Sequence, residues 1–383
     1  MNEFVDLIIF DHYSGGHHAE YINHLHNALI NKPNFKVKIV VGNDFTKYAK
    51  FLKWKKCDNI TFEYISFQCT NFWDYSYVLK SFYINLKIRK VLRRYSCKHI
   101  FFIALMPQMP FISFGLPKGT SYSGIIYMIY RNKINSLFST LINKVKYFLL
   151  ANDKQATHVY LLNDKDSAVY FNSVYHTDKF SYLVDPYKQL CYTIERKYMR
   201  ARLNIDAHKL VLFHFGGLTR RKGTLEILKA FSLLDIRQRD KYCLIFAGRI
   251  IDDIQKEFYE YVNHLSLSMS ICVYDRFCEY SFLADLCNAS DYVLIPYLET
   301  AQSSGVISYA VQCKRPVIGP KEGLLGKIIK KYNLGICVDS NFQSLADLFA
   351  STKINGDFTN MNIEKYLQEN TVERFTTKIV NNL

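Results

Sequence analysis

The strongest constraint on the fold is a rhythm in which short apolar runs rich in Val, Ile, Phe and Tyr alternate with longer stretches of helical period, and it starts twice. Such alternation predicts βαβ units wound onto parallel sheets, whose strands are buried on both faces and read as continuous apolar runs. In the first half the predicted strands are 7–10, 37–41, 61–65, 99–103, 124–130 and 158–162. In the second they are 210–215, 243–247, 270–274, 292–295, 316–319 and 335–338. Between the two series, 181–187 reads as an extended connector because Pro186 follows Asp185. A chain of 383 residues also exceeds the roughly 250–300 at which a single core stops growing. The expectation is an α/β protein of two Rossmann-like doubly wound domains facing a cleft, 1–186 and 187–365, with 366–383 a helix crossing back to the first domain.

Lysine and arginine outnumber acids 49 to 34, and the resulting +15 points to a partner bearing negative charge. The ten cysteines are scattered through apolar runs, with no CxxC pair or His/Cys cluster of zinc spacing, so they read as buried reduced thiols. The stretch from Met1 to Asp6 is acidic where a secretory signal would be basic, and the apolar run after it is broken at Asp11. Cytoplasmic residence is therefore expected. No run reaches the roughly 18–20 apolar residues of a membrane-crossing helix.

Two local patterns point to an anion. Predicted strand 210–215 runs into Gly216-Gly217-Leu218-Thr219-Arg220-Arg221-Lys222-Gly223 and then a helix-like stretch. Paired glycines let backbone approach a ligand, and Lys222 is a compact charge suited to a phosphate oxygen. Predicted strand 292–295 runs into a polar loop containing Glu299, and Ser303-Ser304-Gly305 then opens helix 306–312, whose free N–H groups suit an anion. Either segment alone has a plainer structural reading, a basic turn or an ordinary N-cap.

Together these segments resemble the nucleotide-binding half of the GT-B glycosyltransferases, specifically the large retaining group called family 4, or glycosyl transferases group 1. The resemblance is carried by ordered motifs: Gly216-Gly217 with Lys222-Gly223, Ile245-Phe246-Ala247-Gly248-Arg249, the run from Ala289 to Tyr297, and Gln302-Ser303-Ser304-Gly305-Val306 with Lys314-Arg315-Pro316-Val317-Ile318. It implies a nucleotide diphosphate sugar as donor, no metal or other cofactor, and a hydroxyl acceptor held by the first domain. Carried over, it makes Lys222 the phosphate contact, Arg220 or Arg221 its helper, and Ser303, Ser304 and Gly305 the backbone cradle. Two departures stand out. Gly217 occupies the usual arginine position, and the family's two glutamates fall on Ala301 and Tyr309, leaving Glu299 as the acid for the sugar side.

On the acceptor side, Gly15-Gly16-His17-His18 follows the first strand, and His17 is the candidate to touch substrate on that glycine turn. The segment 75–95 has helical period, aromatics and six cations, from Lys80 to Arg94, and reads as a basic amphipathic helix suited to anionic lipid. A lipid-linked acceptor and a peripheral position on the inner membrane face fit it, with cell-surface polysaccharide or glycolipid synthesis as the pathway. Competing readings are a sugar-nucleotide epimerase or hydrolase on the same scaffold and a basic nucleic-acid-binding protein. The last is disfavoured, because the cations and aromatics form no recognition module.

Overall fold

A computed structural model of the chain describes residues 3–13, 17–50, 52, 54–67, 76–114, 116–129 and 137–383. It divides into two compact units, Met1–Pro186 with Val372–Leu383, and Tyr187–Thr371.

The first unit holds β1 (Glu3–Asp11), β2 (Val37–Gly42), β3 (Ile60–Ile65), β4 (Tyr95–Phe102), β5 (Ser121–Ile126), β6 (Ala156–Leu162) and β7 (Phe180–Leu183). They form one sheet in the order β3-β2-β1-β4-β5-β6-β7, and each neighbouring pair is parallel. Side chains of a strand alternate between faces, so Ile8, Phe10, Ile100 and Phe102 feed one core while Leu7, Ile9, Phe101 and Ile103 feed the other. Helices Tyr77–Leu92, Leu137–Asn152 and Lys165–Tyr175 close the first core through Ile84, Ile88, Tyr147 and Phe171. Helices His18–Leu29 and Val372–Val380 close the second, where the Phe375 ring lies 4.9 Å from that of Tyr21.

The stretch read as a connector contains β7, which runs along β6 as the sheet's edge. Only Phe180 and Leu183 of its four residues are buried, so its apolar signal is weak. The strand predicted at 124–130 begins at Ser121 and ends at Ile126, and residue 130 lies outside the described residues. The basic segment at 75–95 forms helix Tyr77–Leu92; Tyr75 is outside the described residues and Tyr95 opens β4. Cys191 is exposed, against the expectation of buried thiols, because it lies on the extended segment after Pro186.

The second unit holds β8 (Leu210–Phe215), β9 (Tyr242–Ala247), β10 (Ser270–Tyr274), β11 (Tyr292–Leu294), β12 (Val317–Pro320) and β13 (Gly335–Val338) in the parallel order β10-β9-β8-β11-β12-β13. Phe213, Ile245 and Val293 face one core; Leu212, Leu244 and Leu294 face the other. The winding direction reverses between β1 and β4 in the first sheet and between β8 and β11 in the second. At such a point the following loops part, and a ligand can reach the carboxyl edge of the sheet.

Two polar devices, one half-buried and one buried, set the start and end of β8. Asp291 accepts from Arg196 at 2.5 Å, from Arg200 at 3.0 Å and from the Val211 N–H at 2.7 Å, which ties helix Arg196–Arg202 to β8. His214 is buried, with Nδ1–H donating to the Leu294 carbonyl at 2.9 Å and Nε2 accepting from the Thr224 hydroxyl at 3.0 Å. It thereby links β8, β11 and the start of helix Thr224–Leu233. Burial holds its imidazole down at about 4, with a smaller push from Lys222.

Replacing Asp291 with alanine leaves two guanidinium groups without their carboxylate, so Asp291→Ala should lower the unfolding free energy of the second unit by about 2–3 kcal/mol in chemical denaturation. For His214 the unfolded state takes up its proton near the ordinary histidine value while the folded state resists until about 4. The stability that neutral His214 contributes is complete above the ordinary value and is lost as pH falls from there to about 4. The wild type should therefore lose about 3 kcal/mol more than His214→Gln over that window, measured by denaturant titration at each pH.

Candidate functional site

The loops after β8, β9 and β11 meet at the carboxyl edge of the second sheet, around its reversal point. Gly216 and Gly248 end β8 and β9 back to back: a Cβ on Gly248 would lie 1.8 Å from the Gly216 carbonyl oxygen, so only glycine permits the approach. A Cβ on Gly216 would in turn stand 2.8 Å from Nζ of Lys222. The lysine ammonium thus rests directly against bare backbone.

After the single 3₁₀ turn Arg220–Lys222, the chain turns through Gly223 at φ +72°, where a Cβ would meet the Pro296 carbonyl oxygen at 2.0 Å. That contact presses the basic loop onto the segment following β11. Backbone bonds complete the junction, with the Arg221 carbonyl accepting from Leu298 N–H at 2.8 Å and from Glu299 N–H at 3.3 Å. Nζ of Lys222 lies 5.4 Å from the centre of the Tyr297 ring, and the Tyr297 hydroxyl lies 3.2 Å from Oγ of Ser304. Ser304 Oγ also accepts from the Val306 N–H at 3.4 Å, just before helix Val306–Gln312. Lys222, Tyr297 and the Ser304-Gly305 turn therefore form one connected polar edge, with Gly217 exposed beside it and Ser303 and Glu299 half-buried.

The two arginines differ. Arg220 donates to Glu257 at 3.3 Å, a carboxylate that also takes Lys229 at 3.0 Å, so its charge is shared with a neighbouring helix. Arg221 is exposed, and its side chain makes no hydrogen bond or ion pair among the described residues. Arg249, exposed directly after Gly248, adds a third arginine to the same edge. Ala301 is buried, and the Tyr309 ring packs edge-on against Phe215 at 5.2 Å, so an aromatic wall stands where the family pattern has its second acid.

In the first unit Gly15 and Gly16 lie outside the described residues. His17 is exposed and pairs with Glu20 at 3.2 Å. His18 instead donates through Nδ1 to the buried carboxylate of Asp11, at 3.0 and 3.1 Å, and stacks on Tyr127 with ring centres 5.0 Å apart. Burial pushes the Asp11 carboxyl up, and His18 opposes that push. Beside them, at the reversal point of this sheet, His12 is held neutral by burial at about 3, and Gln108, wholly buried, approaches its Nδ1 at 3.4 Å. Oε1 of Gln108 and the hydroxyl of Tyr127 are buried without a hydrogen-bond partner among the described residues.

The sequence reading missed Tyr297 and the Asp11–His18 pair. A tyrosine after a buried strand reads as core, and only Asp11, seven positions before His18, separates one adjacent histidine from the other. Among the described residues no group of three or more His, Cys, Asp or Glu side chains could hold a metal ion, and no helix is long and apolar enough to cross a membrane.

Residues 195–370, nearly the whole second unit, match the family model described as glycosyl transferases group 1. No curated protein sequence matches the chain. Among solved structures, HepE of Anabaena in complex with UDP superposes with a TM-score of 0.69 at 14% identity, covering 100% of this chain and 99% of that one. WaaG, a glycosyltransferase involved in lipopolysaccharide biosynthesis, gives 0.68 at 13% identity over 98% and 99% of the two chains. Sucrose-phosphate synthase from Thermosynechococcus elongatus gives 0.67 at 14% identity over 99% and 98%. At these identities the structures establish the GT-B fold, and the family match over the second unit supplies the chemistry: the chain is a glycosyltransferase whose second unit matches glycosyl transferases group 1.

Proposed function

We propose that the enzyme moves a sugar from a nucleotide diphosphate sugar to a hydroxyl acceptor, with the donor's diphosphate held by Lys222, by Arg221 or Arg249, and by the Ser303-Ser304-Gly305 turn. The observation that carries this reading is the position of the Lys222 ammonium against bare Gly216 backbone, on a loop tied by hydrogen bonds to the segment that opens helix Val306–Gln312. Negative charge develops on the departing diphosphate as the anomeric C–O bond breaks. Fixed cations and N–H groups at that edge lower the barrier without reorganising during the reaction. In this reading those groups neutralise the leaving diphosphate without a metal ion. Glu299 serves the donor sugar's hydroxyls, and His17 and His18 are the acceptor-side candidates in the first unit.

Finer elements of the proposal follow from the family resemblance and the charge: retention of anomeric configuration, an acceptor that is lipid-linked, a place in cell-surface polysaccharide or glycolipid synthesis, and an anionic membrane surface against the basic helix Tyr77–Leu92. Related structures were solved with UDP and UDP-glucose, so a uridine diphosphate sugar is the first donor to test.

Lys222→Ala should reduce nucleoside diphosphate affinity at least about a hundredfold in calorimetry while the melting curve stays unchanged. Unchanged affinity would remove the lysine from the site. Glu299→Ala should leave nucleotide affinity intact and lower kcat with the full donor by roughly two orders of magnitude, read in single-turnover transfer.

A further inference from the structure

The three helices that cover one face of the first sheet, Tyr77–Leu92, Leu137–Asn152 and Lys165–Tyr175, bury one side as required and then leave large apolar side chains on the other. Val78, Phe82 and Leu86 form a ridge on the first at a spacing of four, one helical turn apart. Leu141, Val145 and Phe148 form one on the second at spacings of four and three, and Val169, Tyr170 and Val174 are exposed together on the third. Val169 is 62% exposed, Leu141 60% and Phe148 54%, values at which a solvent-facing helix normally carries charge.

The three helices are neighbours. Nζ of Lys146 sits 3.7 Å from the Tyr77 ring and joins the first helix to the second. The rings of Tyr147 and Phe171 are 4.2 Å apart, and those of Phe148 and Tyr175 6.3 Å, joining the second to the third. Scattered exposed apolar residues need no explanation, but apolar outer ridges on three adjacent helices call for a partner that covers them.

Charge selects the occupant. Lys80, Lys87, Arg89 and Lys90 belong to the first helix, Lys144 to the second beside the buried Lys146, and Lys165 to the third, against the single acid Asp166. A self-complementary dimer would press these cations together, whereas an anionic bilayer neutralises them while its acyl region takes the apolar ridges. Each helix follows a parallel strand, so its first turn lies toward the carboxyl edge of the sheet, where His12, His18 and Gln108 cluster.

We infer that this three-helix face, and not the basic helix alone, docks the first unit onto an anionic membrane surface, with Phe82, Leu141, Val145 and Phe148 entering the interface. The inference deepens the membrane partner in the proposed function and rests on that reading only for the lipid-linked nature of the acceptor. Flotation of the full chain with phosphatidylcholine vesicles, with and without roughly one-third phosphatidylglycerol, tests it. Binding should require the anionic lipid and weaken as salt rises. Leu141→Ser, Val145→Ser and Phe148→Ser together should cut the partition coefficient at least about tenfold at unchanged melting temperature, and Val169→Ser with Val174→Ser should cut it several-fold. Undiminished flotation of both variants would overturn the proposal. So would a wild-type dimer in solution that these substitutions dissociate while vesicles capture nothing. Vesicle binding is read without donor or acceptor and nucleoside diphosphate affinity without lipid, so the failure of one reading is distinguishable from the failure of the other.

Discussion

A parallel sheet cannot cover its own carboxyl edge at the point where its winding reverses, and the cationic edge of the second unit is built on that constraint. Crossovers from β8 and β11 leave on opposite sides, so the loops that follow them part and expose backbone. The chain fills that gap with glycine. Gly216 and Gly248 meet at a distance no side chain tolerates, and Gly223 turns in a left-handed conformation against Pro296. Lys222 then rests over bare backbone, facing Tyr297 and the turn at Ser304.

The same geometry explains why a second unit of like topology offers a different chemistry. At the reversal between β1 and β4 the first sheet presents His12, Gln108 and the Asp11–His18 pair. Burial keeps His12 neutral, and the Asp11 carboxylate orients the His18 ring by accepting from its Nδ1. Neutral hydrogen-bonding groups beside aromatic rings suit hydroxyls, where the second unit suits phosphates.

Much of this was legible in the sequence because parallel strands are apolar on both faces and glycine-cation turns are local. The strands read at 210–215, 270–274 and 335–338 match β8, β10 and β13 residue for residue. What escaped was non-local or weakly patterned. β7 hid in a stretch that Asp185 and Pro186 mark as irregular, because an edge strand buries only part of itself. His214 gave no sign of its role, since one of its partners, Leu294, lies eighty positions away. Arg220 and Arg221 look equivalent in sequence; Glu257, on a helix thirty-seven positions later, is what separates them. The outer ridges of helices Leu137–Asn152 and Lys165–Tyr175 were invisible for a related reason, because apolar residues at helical spacing read as core until the other side is seen to be buried already.

The central claim is that the loop Gly216–Gly223 and the turn Ser303–Val306 act as one diphosphate site because they are one connected edge. Hydrogen exchange of backbone amides on addition of a nucleoside diphosphate tests it most directly. The account predicts that amides of both segments slow together, at a single ligand concentration dependence, while the loops at the carboxyl ends of β12 and β13 are little changed. Protection of one segment without the other, or protection confined to a different edge of the second unit, would contradict it.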